Sequence, residues 1–216
     1  MFTDFAFKVC LVGRPGVGKT TLARLIAKRF EEMECTVGLP QESARAFIEE
    51  HGRAPEDVSE QYLLMRSQAR NEFRADQDGG DLVICDSSTF MNYVYALKVY
   101  LENGKLEDEV MLPGFLHETL DHLKTYNAIF FLDGDYVPLE EDSGRAHTDP
   151  EELVEIHRMI EAFLELYVDD WHYVVCNIHD DAENTRDVLV TAIMALITER
   201  ANELYEQHLG EEREVA

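Results

Sequence analysis

Positive charge is scarce in this chain. Lysine and arginine number 19 against 44 aspartates and glutamates, for a net charge of −25. A nucleic-acid backbone is held by a basic footprint, so the shortage argues against nucleic acid as the main partner. It leaves room for a nucleotide, which needs only a local cationic pocket. The acid excess fits adaptation to a salty cytoplasm or a solubility device. Long apolar runs are also missing. No stretch reaches the ~18 residues that a membrane-spanning helix requires, and no membrane partner is expected. The first residues, Met1-Phe2-Thr3-Asp4-Phe5, lack the basic region and apolar core of a secretory leader, so the cytoplasm is the expected location. Cysteine occurs four times, as Cys10, Cys35, Cys85 and Cys176. That spacing matches no zinc pattern, and the thiols are expected to be reduced and to serve as small apolar residues. The histidines include no H-E-x-x-H, and no structural metal is expected. Repeats and low-complexity linkers are absent. The 216 residues suit one domain with a sizeable core, expected over residues 1–210 with an acidic tail at 211–216.

What is present is organised around Gly13-Arg14-Pro15-Gly16-Val17-Gly18-Lys19-Thr20. It satisfies G-x-x-x-x-G-K-[ST] at every specified position. Gly16 and Gly18 can adopt backbone conformations closed to other residues, so that consecutive N–H groups point into one nest. Lys19 adds a point charge for the β- and γ-phosphate oxygens. The Thr20 hydroxyl can enter the shell of a Mg²⁺ that bridges those oxygens, and Thr21 follows in the same turn. The residues before the loop, 7–12, read as a buried strand. Leu22, Leu25, Ile26 and Phe30 after it recur at helical spacing. A strand, a glycine loop and a helix N-terminus together form an anion site.

Further along, residues 34–38 read as a short strand. A helix begins at Glu42 and closes at Gly52. A longer helix has its first turn at Pro55-Glu56-Asp57 and runs to about Arg74, with Val58, Tyr62, Arg66, Ala69 and Phe73 on one side. Residues 81–86 form a nearly all-apolar strand, as a parallel strand covered on both faces should be. Phe90, Tyr93, Val94, Leu97 and Leu101 mark the next helix. Residues 107–126 make another, interrupted around Pro113-Gly114. Residues 127–133 are a fourth strand, followed by an irregular polar stretch to Thr148. Asp149-Pro150-Glu151-Glu152 starts a helix with cap, proline and acids in suitable order. Leu153, Ile156, Ile160, Phe163, Leu164 and Tyr167 form its apolar face. Residues 172–178 are the fifth strand. The last helix runs from about Asn184 to His208, with Val188, Ala192, Leu196 and Leu204 inward. Strands alternate with helices, so the expected class is α/β, an open parallel sheet with helices on both faces. Ligands of such sheets bind at the carboxyl ends of strands, where residues 13–20, Asp86 and Asp133 gather.

Three further places carry candidate chemistry. Asp86 ends a buried strand beside the loop. There an acid can hold Mg²⁺ or accept a proton from an attacking hydroxyl; a plainer role is to cap the next helix with Ser87 and Ser88. Glu42 and Arg45 follow the second strand, on the side where an acceptor would lie. Their spacing suits substrate contact or an ordinary intrahelical ion pair. Arg145 stands among acids in the polar stretch, placed for a closing lid to bring it to a transferring phosphoryl group, or left in solvent. Phe90, Tyr93 and Tyr100 read chiefly as helix packing, although residues 90–100 also follow Asp86 and can line an acceptor pocket.

These pieces resemble the P-loop ATPase/kinase family that contains the nicotinamide-riboside kinase domain. The matching parts are residues 13–20, Glu42-Ser43-Ala44-Arg45, the strand end Val83-Ile84-Cys85-Asp86, and Asp142-Ser143-Gly144-Arg145 with the helix after it. They span nearly the whole chain. The resemblance implies a P-loop NTPase fold, a three-layer sandwich whose five-stranded parallel sheet runs in the order 2-3-1-4-5. It also implies ATP with Mg²⁺ as cofactors and phosphoryl transfer to a nucleoside-like small acceptor. One departure stands out: such kinases commonly carry arginine after the strand-end aspartate, and here Ser87-Ser88 follows Asp86. The reading is therefore an ATP-dependent small-molecule kinase. ATP is held by Gly13, Arg14, Pro15, Gly16, Val17, Gly18, Lys19, Thr20 and Thr21. Lys19, Asp86 and Arg145 act in catalysis, Thr20 and Asp86 on the metal, and Glu42 and Arg45 on the substrate. The alternative is an ATP-hydrolysing switch that signals to a protein partner.

Overall fold

The computed structural model describes residues 6–78, 80–134, 149–169, 172–178 and 182–215. Its first strand, β1 (Phe7–Val12), is buried at every position. Such a strand needs cover on both faces, and the remaining elements supply it. In chain order they are α1 (Lys19–Glu31), β2 (Val37–Gly38), α2 (Ser43–His51), α3 (Val58–Gln77), β3 (Leu82–Asp86), α4 (Thr89–Asn103), α5 (Leu106–Leu123), β4 (Ala128–Gly134), α6 (Pro150–Tyr167), β5 (Tyr173–Ile178) and α7 (Ala182–Val215). The sheet has five parallel strands in the order β2-β3-β1-β4-β5. This is the order expected from the resemblance.

Side chains of successive strand residues go to opposite faces, and the core divides accordingly. Val9, Leu11, Ile84, Phe130 and Leu132 pack with Leu22, Ile26 and Phe30 of α1 and Val190, Ile193 and Ile197 of α7. Cys10, Val12, Val83, Cys85 and Phe131 pack with residues of α3, α4, α5 and α6, among them Met65, Phe90, Phe115 and Phe163. The sheet is thus the middle of three layers. All four cysteines are free thiols, and Cys10, Cys85 and Cys176 are buried. Burial raises all three of these thiols above their ordinary value.

Several expected details are corrected. β2 covers only Val37–Gly38; the preceding Thr36 offers its carbonyl to the Asp81 and Leu82 N–H groups without extending the ladder. The cap of α3 is Asp57, whose carboxylate accepts from the Glu60 N–H at 2.8 Å, so Pro55 precedes the helix. The helix α5 is unbroken through Pro113 and Gly114. A proline inside a helix costs about 3 kcal/mol, but Pro113 lies on the exposed side, while Leu112, Phe115, Thr119 and Leu123 are buried opposite. Packing outweighs the lost backbone bond. The buried face of α3 is Val58, Gln61, Leu64, Met65, Gln68 and Glu72, whereas Phe73 is 61% exposed. Polar residues occupy that face because their groups are satisfied by partners, as described below. In α7 the inward residues are Val190, Ile193 and Ile197; Val188, Ala192 and Leu204 face solvent, and the helix continues to Val215.

Candidate active site

Residues 13–20 follow β1 and lead into α1, and their geometry is that of an anion cradle. Gly13, Gly16 and Gly18 have φ of +149°, +81° and +95°, values that favour glycine. A side chain at Gly13 would also strike the Leu132 carbonyl oxygen, 2.8 Å from an ideal Cβ, so the loop lies directly against β4. The N-cap of α1 is Gly18, with no side chain to cap its first N–H groups. These donors and the helix dipole therefore remain available to a ligand. Lys19 Nζ donates to the carbonyls of Gly13 at 2.8 Å and Arg14 at 3.0 Å, which holds the ammonium over the loop. The Arg14 guanidinium turns away and donates to the Gly134 carbonyl at 2.9 Å, bracing the loop against the end of β4.

The register of the sheet fixes the next residue. Asp86 pairs with Leu11 of β1, so its carboxylate stands beside the start of the loop. Its Oδ1 is buried and has no hydrogen-bond partner among the described residues. The capping role considered for it belongs to Ser88, the N-cap of α4, whose Oγ accepts from the Phe90 N–H at 3.4 Å. Between them, Ser87 takes φ +133°, a strained conformation for a residue with a side chain. The chain thus turns sharply and leaves the Asp86 carboxylate aimed at the cleft.

Glu42 is the N-cap residue of α2 but its side chain caps nothing. It pairs with Arg45 at 3.7 Å. Burial lifts its carboxyl above the ordinary value, and the nearby charge of Asp86 adds to this, against the opposing charges of Lys19 and Arg45. Two carboxylates and two cations therefore share one electrostatic environment.

One cleft joins these groups. Pro15, Gly16, Gly18, Lys19, Thr20 and Thr21 of the loop and its helix line it together with Asp86 and Ser87. Glu42 and Arg45 line the same cleft, and Glu42 lies close enough to Lys19 and Asp86 to feel their charges. Of the loop residues expected at a nucleotide, Gly13, Arg14 and Val17 lie behind this lining, and Val17 packs into the core. Arg145, with Asp142, lies outside the described residues. Asp133 does end a strand, but its Oδ1 faces His157 Nε2 at 3.5 Å and it does not line the cleft.

The cleft also has walls that sequence reasoning missed. Gln61 and Gln68 come from α3, and Met91, Asn92 and Tyr95 from α4. Gln61, Gln68 and Asn92 are 4%, 3% and 7% exposed, so this half of the cleft is built of buried, uncharged amides. Burial, with the charges of Glu42 and Glu152, raises the Tyr95 phenol well above its ordinary value, so it is a neutral hydroxyl here. A usable signal existed on α3: glutamines stand in the apolar register of Val58 and Met65. On α4 the segment was identified as a possible pocket wall. Yet Phe90 and Tyr93 go to the core, while the next face supplies Met91, Asn92 and Tyr95.

Mg²⁺ takes most of its oxygens from phosphates and water and needs one or two from protein. Thr20 and Asp86 both line the cleft, and Asp86 Oδ1 has no partner among the described residues. These residues fit the ion. Among the described residues no group of three or more His, Cys, Asp and Glu gathers to hold a metal unaided, so the phosphates would be integral to the site. No described helix is long and apolar enough to cross a membrane.

The sequence model of the AAA domain family matches residues 8–184. No curated protein matches the chain. Two crystal structures of NadR protein, in complex with NAD and AMP-PNP and in complex with NR, align at TM-scores of 0.65 and 0.69, with 21% and 18% identity. Each alignment covers 92% of this chain but only 50% and 52% of the NadR chains, so this chain spans about half their length. A deoxyadenosine kinase from M. mycoides with bound dCTP aligns at a TM-score of 0.59 and 12% identity, over 87% of this chain and 99% of its own. At such identities the likeness is one of fold, the P-loop fold of nucleoside and nucleotide kinases.

Proposed function

The chain belongs to the AAA domain family, and from that premise we propose that it is an ATP-dependent phosphotransferase that moves the γ-phosphoryl group of ATP to a nucleoside-like small acceptor. The observation that carries this reading is that one cleft is lined both by the phosphate loop with Asp86 and by Glu42, Arg45, Gln61 and Asn92. A site for hydrolysis alone has no use for those further walls. The buried amides of Gln61 and Asn92 suit a planar, uncharged group with donors and acceptors on its edge, and Tyr95 and Met91 suit the faces of a ring. The bound nucleotides and nucleoside-like ligands of the NadR and deoxyadenosine kinase structures point the same way.

In this reading ATP lies along residues 13–21 with its phosphates on the free N–H groups of the loop. Lys19 leaves the loop carbonyls for the β- and γ-phosphate oxygens. Thr20 and Asp86 hold Mg²⁺, which when bound supplies positive charge to those oxygens. Asp86 or Glu42 takes the proton of the attacking hydroxyl; burial raises the Glu42 carboxyl above its ordinary value, which makes its ionised form a stronger base. Arg45 orients the acceptor. Arg145 is assigned to the transferring phosphoryl group. The protein's contribution is positioning and charge.

The test is ADP release from Mg-ATP in the presence of a panel of nucleosides, nucleotides and nicotinamide ribosides. One acceptor that raises turnover well above the rate with ATP alone is the expected result. ATP binding with a flat panel would overturn the kinase reading and leave an ATP-hydrolysing switch with a protein partner, a role that the missing cation after Asp86 permits.

A further inference from the structure

The orientation of a side chain follows from the two peptide groups that flank its Cα. For Glu42 these are the Gln41–Glu42 and Glu42–Ser43 peptides, and helix α3 holds both. Asn71 Nδ2 donates to the Gln41 carbonyl at 3.1 Å. Gln68 Oε1 accepts from the buried Ser43 N–H at 3.1 Å. Asn71 Nδ2 also reaches Ser43 Oγ at 3.3 Å. The N-cap residue of α2, Glu42, makes no side-chain capping bond of its own.

The Gln68 amide cannot reverse. Its Nε2 donates to Glu72 Oε1 at 2.9 Å, and a carboxylate offers only acceptors, so Oε1 must face Ser43. Glu72 is in turn fixed. It is fully buried and receives Tyr126 Oη at 2.8 Å, His122 Nε2 at 2.8 Å and Lys8 Nζ at 3.5 Å. Lys8 belongs to β1, the strand that leads into the phosphate loop. A rigid chain of contacts therefore runs from the central strand, through Glu72 and Gln68, to the backbone of Glu42.

We propose that Gln68 and Asn71 are positioning residues that act through Glu42, holding its carboxylate in the cleft opposite Asp86 and Lys19 where an acceptor hydroxyl would lie. The proposal rests on the phosphotransferase reading of the cleft, and the task it assigns to these two amides of α3 is performed through the backbone that flanks Glu42. A one-ångström misplacement of a reacting group costs up to about a hundredfold in rate. Loss of the clamp should therefore read mainly in kcat, while ATP, held by the separate phosphate loop, should bind as before.

The experiment is a double-mutant cycle with local hydrogen exchange. Gln68→Met is expected to lower acceptor-dependent kcat by about ten- to a hundredfold, to leave ATP affinity unchanged, and to speed amide exchange over residues 41–45. In a Glu42→Gln background the same substitution should have no further effect on kcat, because the group it acts through is gone. Asn71→Ala, at a half-buried residue, should act in the same direction more weakly and keeps the test open if Gln68→Met does not fold. Additive effects in the cycle, or a lowered melting temperature with kcat and exchange at 41–45 unchanged, would overturn the proposal. If no acceptor supports turnover, the phosphotransferase reading fails on that result; the exchange measurement, which needs no acceptor, still decides whether the clamp exists.

Discussion

Asp86 sits where the demands on a single residue are greatest. Its Oδ1 is buried and unpartnered among the described residues, a state that costs free energy unless a ligand or ion satisfies it. Asp86→Asn keeps the shape and one acceptor oxygen but removes the charge. If Asp86 serves the metal or the attacking hydroxyl, turnover should fall by about 10²–10⁴ while ATP still binds through the loop; steady-state kinetics beside equilibrium ATP binding would measure both, and unchanged turnover would remove Asp86 from the chemistry. The residues most legible in the sequence were those whose roles follow from local spacing: the phosphate loop, Asp86 at a strand end, and Glu42 with Arg45 one helical turn apart. The register of Gln61 and Gln68 with Val58 and Met65 marks them as inward, and Asn92 falls in the segment 90–100 read as a possible wall, but nothing local tells which inward amides line the cleft. Only the packing of α3 against β3 and against α4 brings them to the site.

Among the elements, the α2–α3 connection shows how charge stands in for apolar packing. Arg53 forms a two-pronged contact with Glu60, at 2.8 and 2.5 Å, and Glu60 also accepts from the Glu56 N–H at 2.8 Å. The hydrogen bond from Arg53, stronger than the opposing effect of burial, lowers the Glu60 carboxyl from 4.5 to about 2. A carboxyl lowered in the folded state stabilises fully above its unfolded value. That contribution is lost as pH falls from 4.5 through about 2. Chemical unfolding should therefore find Glu60→Gln less stable than the parent near neutral pH, with the gap closing across that acidic window, and with a size limited by the partial exposure of the pair. A gap that stays constant as pH falls would mean that shape rather than charge is at work. The same competition between local and tertiary terms explains the misread elements. Pro113 predicts a break, yet the buried row beneath it keeps α5 continuous. The stripe chosen on α3 lay one residue away from the true one, because an apolar-periodicity reading rejects Glu72, whose charge is in fact met by four side chains. The α6 start was read correctly: Asp149 accepts from the N–H groups of Glu151 and Glu152, at 2.9 and 3.1 Å, ahead of Pro150 in the first turn.

For the molecule as a whole, the alternation of strands and helices was enough to give a parallel sheet, since each crossover must return its strand to the same edge direction. The strand order was not contained in that alternation; it came with the family resemblance, and the structure has it. What the sheet does not balance is charge. A net −25 on 216 residues makes the compact state repel itself. The repulsion is long-ranged and therefore screenable: the screening length falls from ~30 Å at about 0.01 M salt to ~10 Å at about 0.1 M. Over that range the melting temperature should rise with added NaCl. A variant with Glu49, Glu50, Glu203 and Glu206 changed to glutamine, all exposed and in no ion pair among the described residues, should start higher at low salt and respond less. Glu49 and Glu50 lie near the C-terminal end of α2, where the helix dipole already disfavours negative charge, so part of the variant's gain would appear even in screened solution. The slope against salt is thus the deciding quantity. Equal slopes for parent and variant would mean that the acidic surface leaves the stability of the fold untouched.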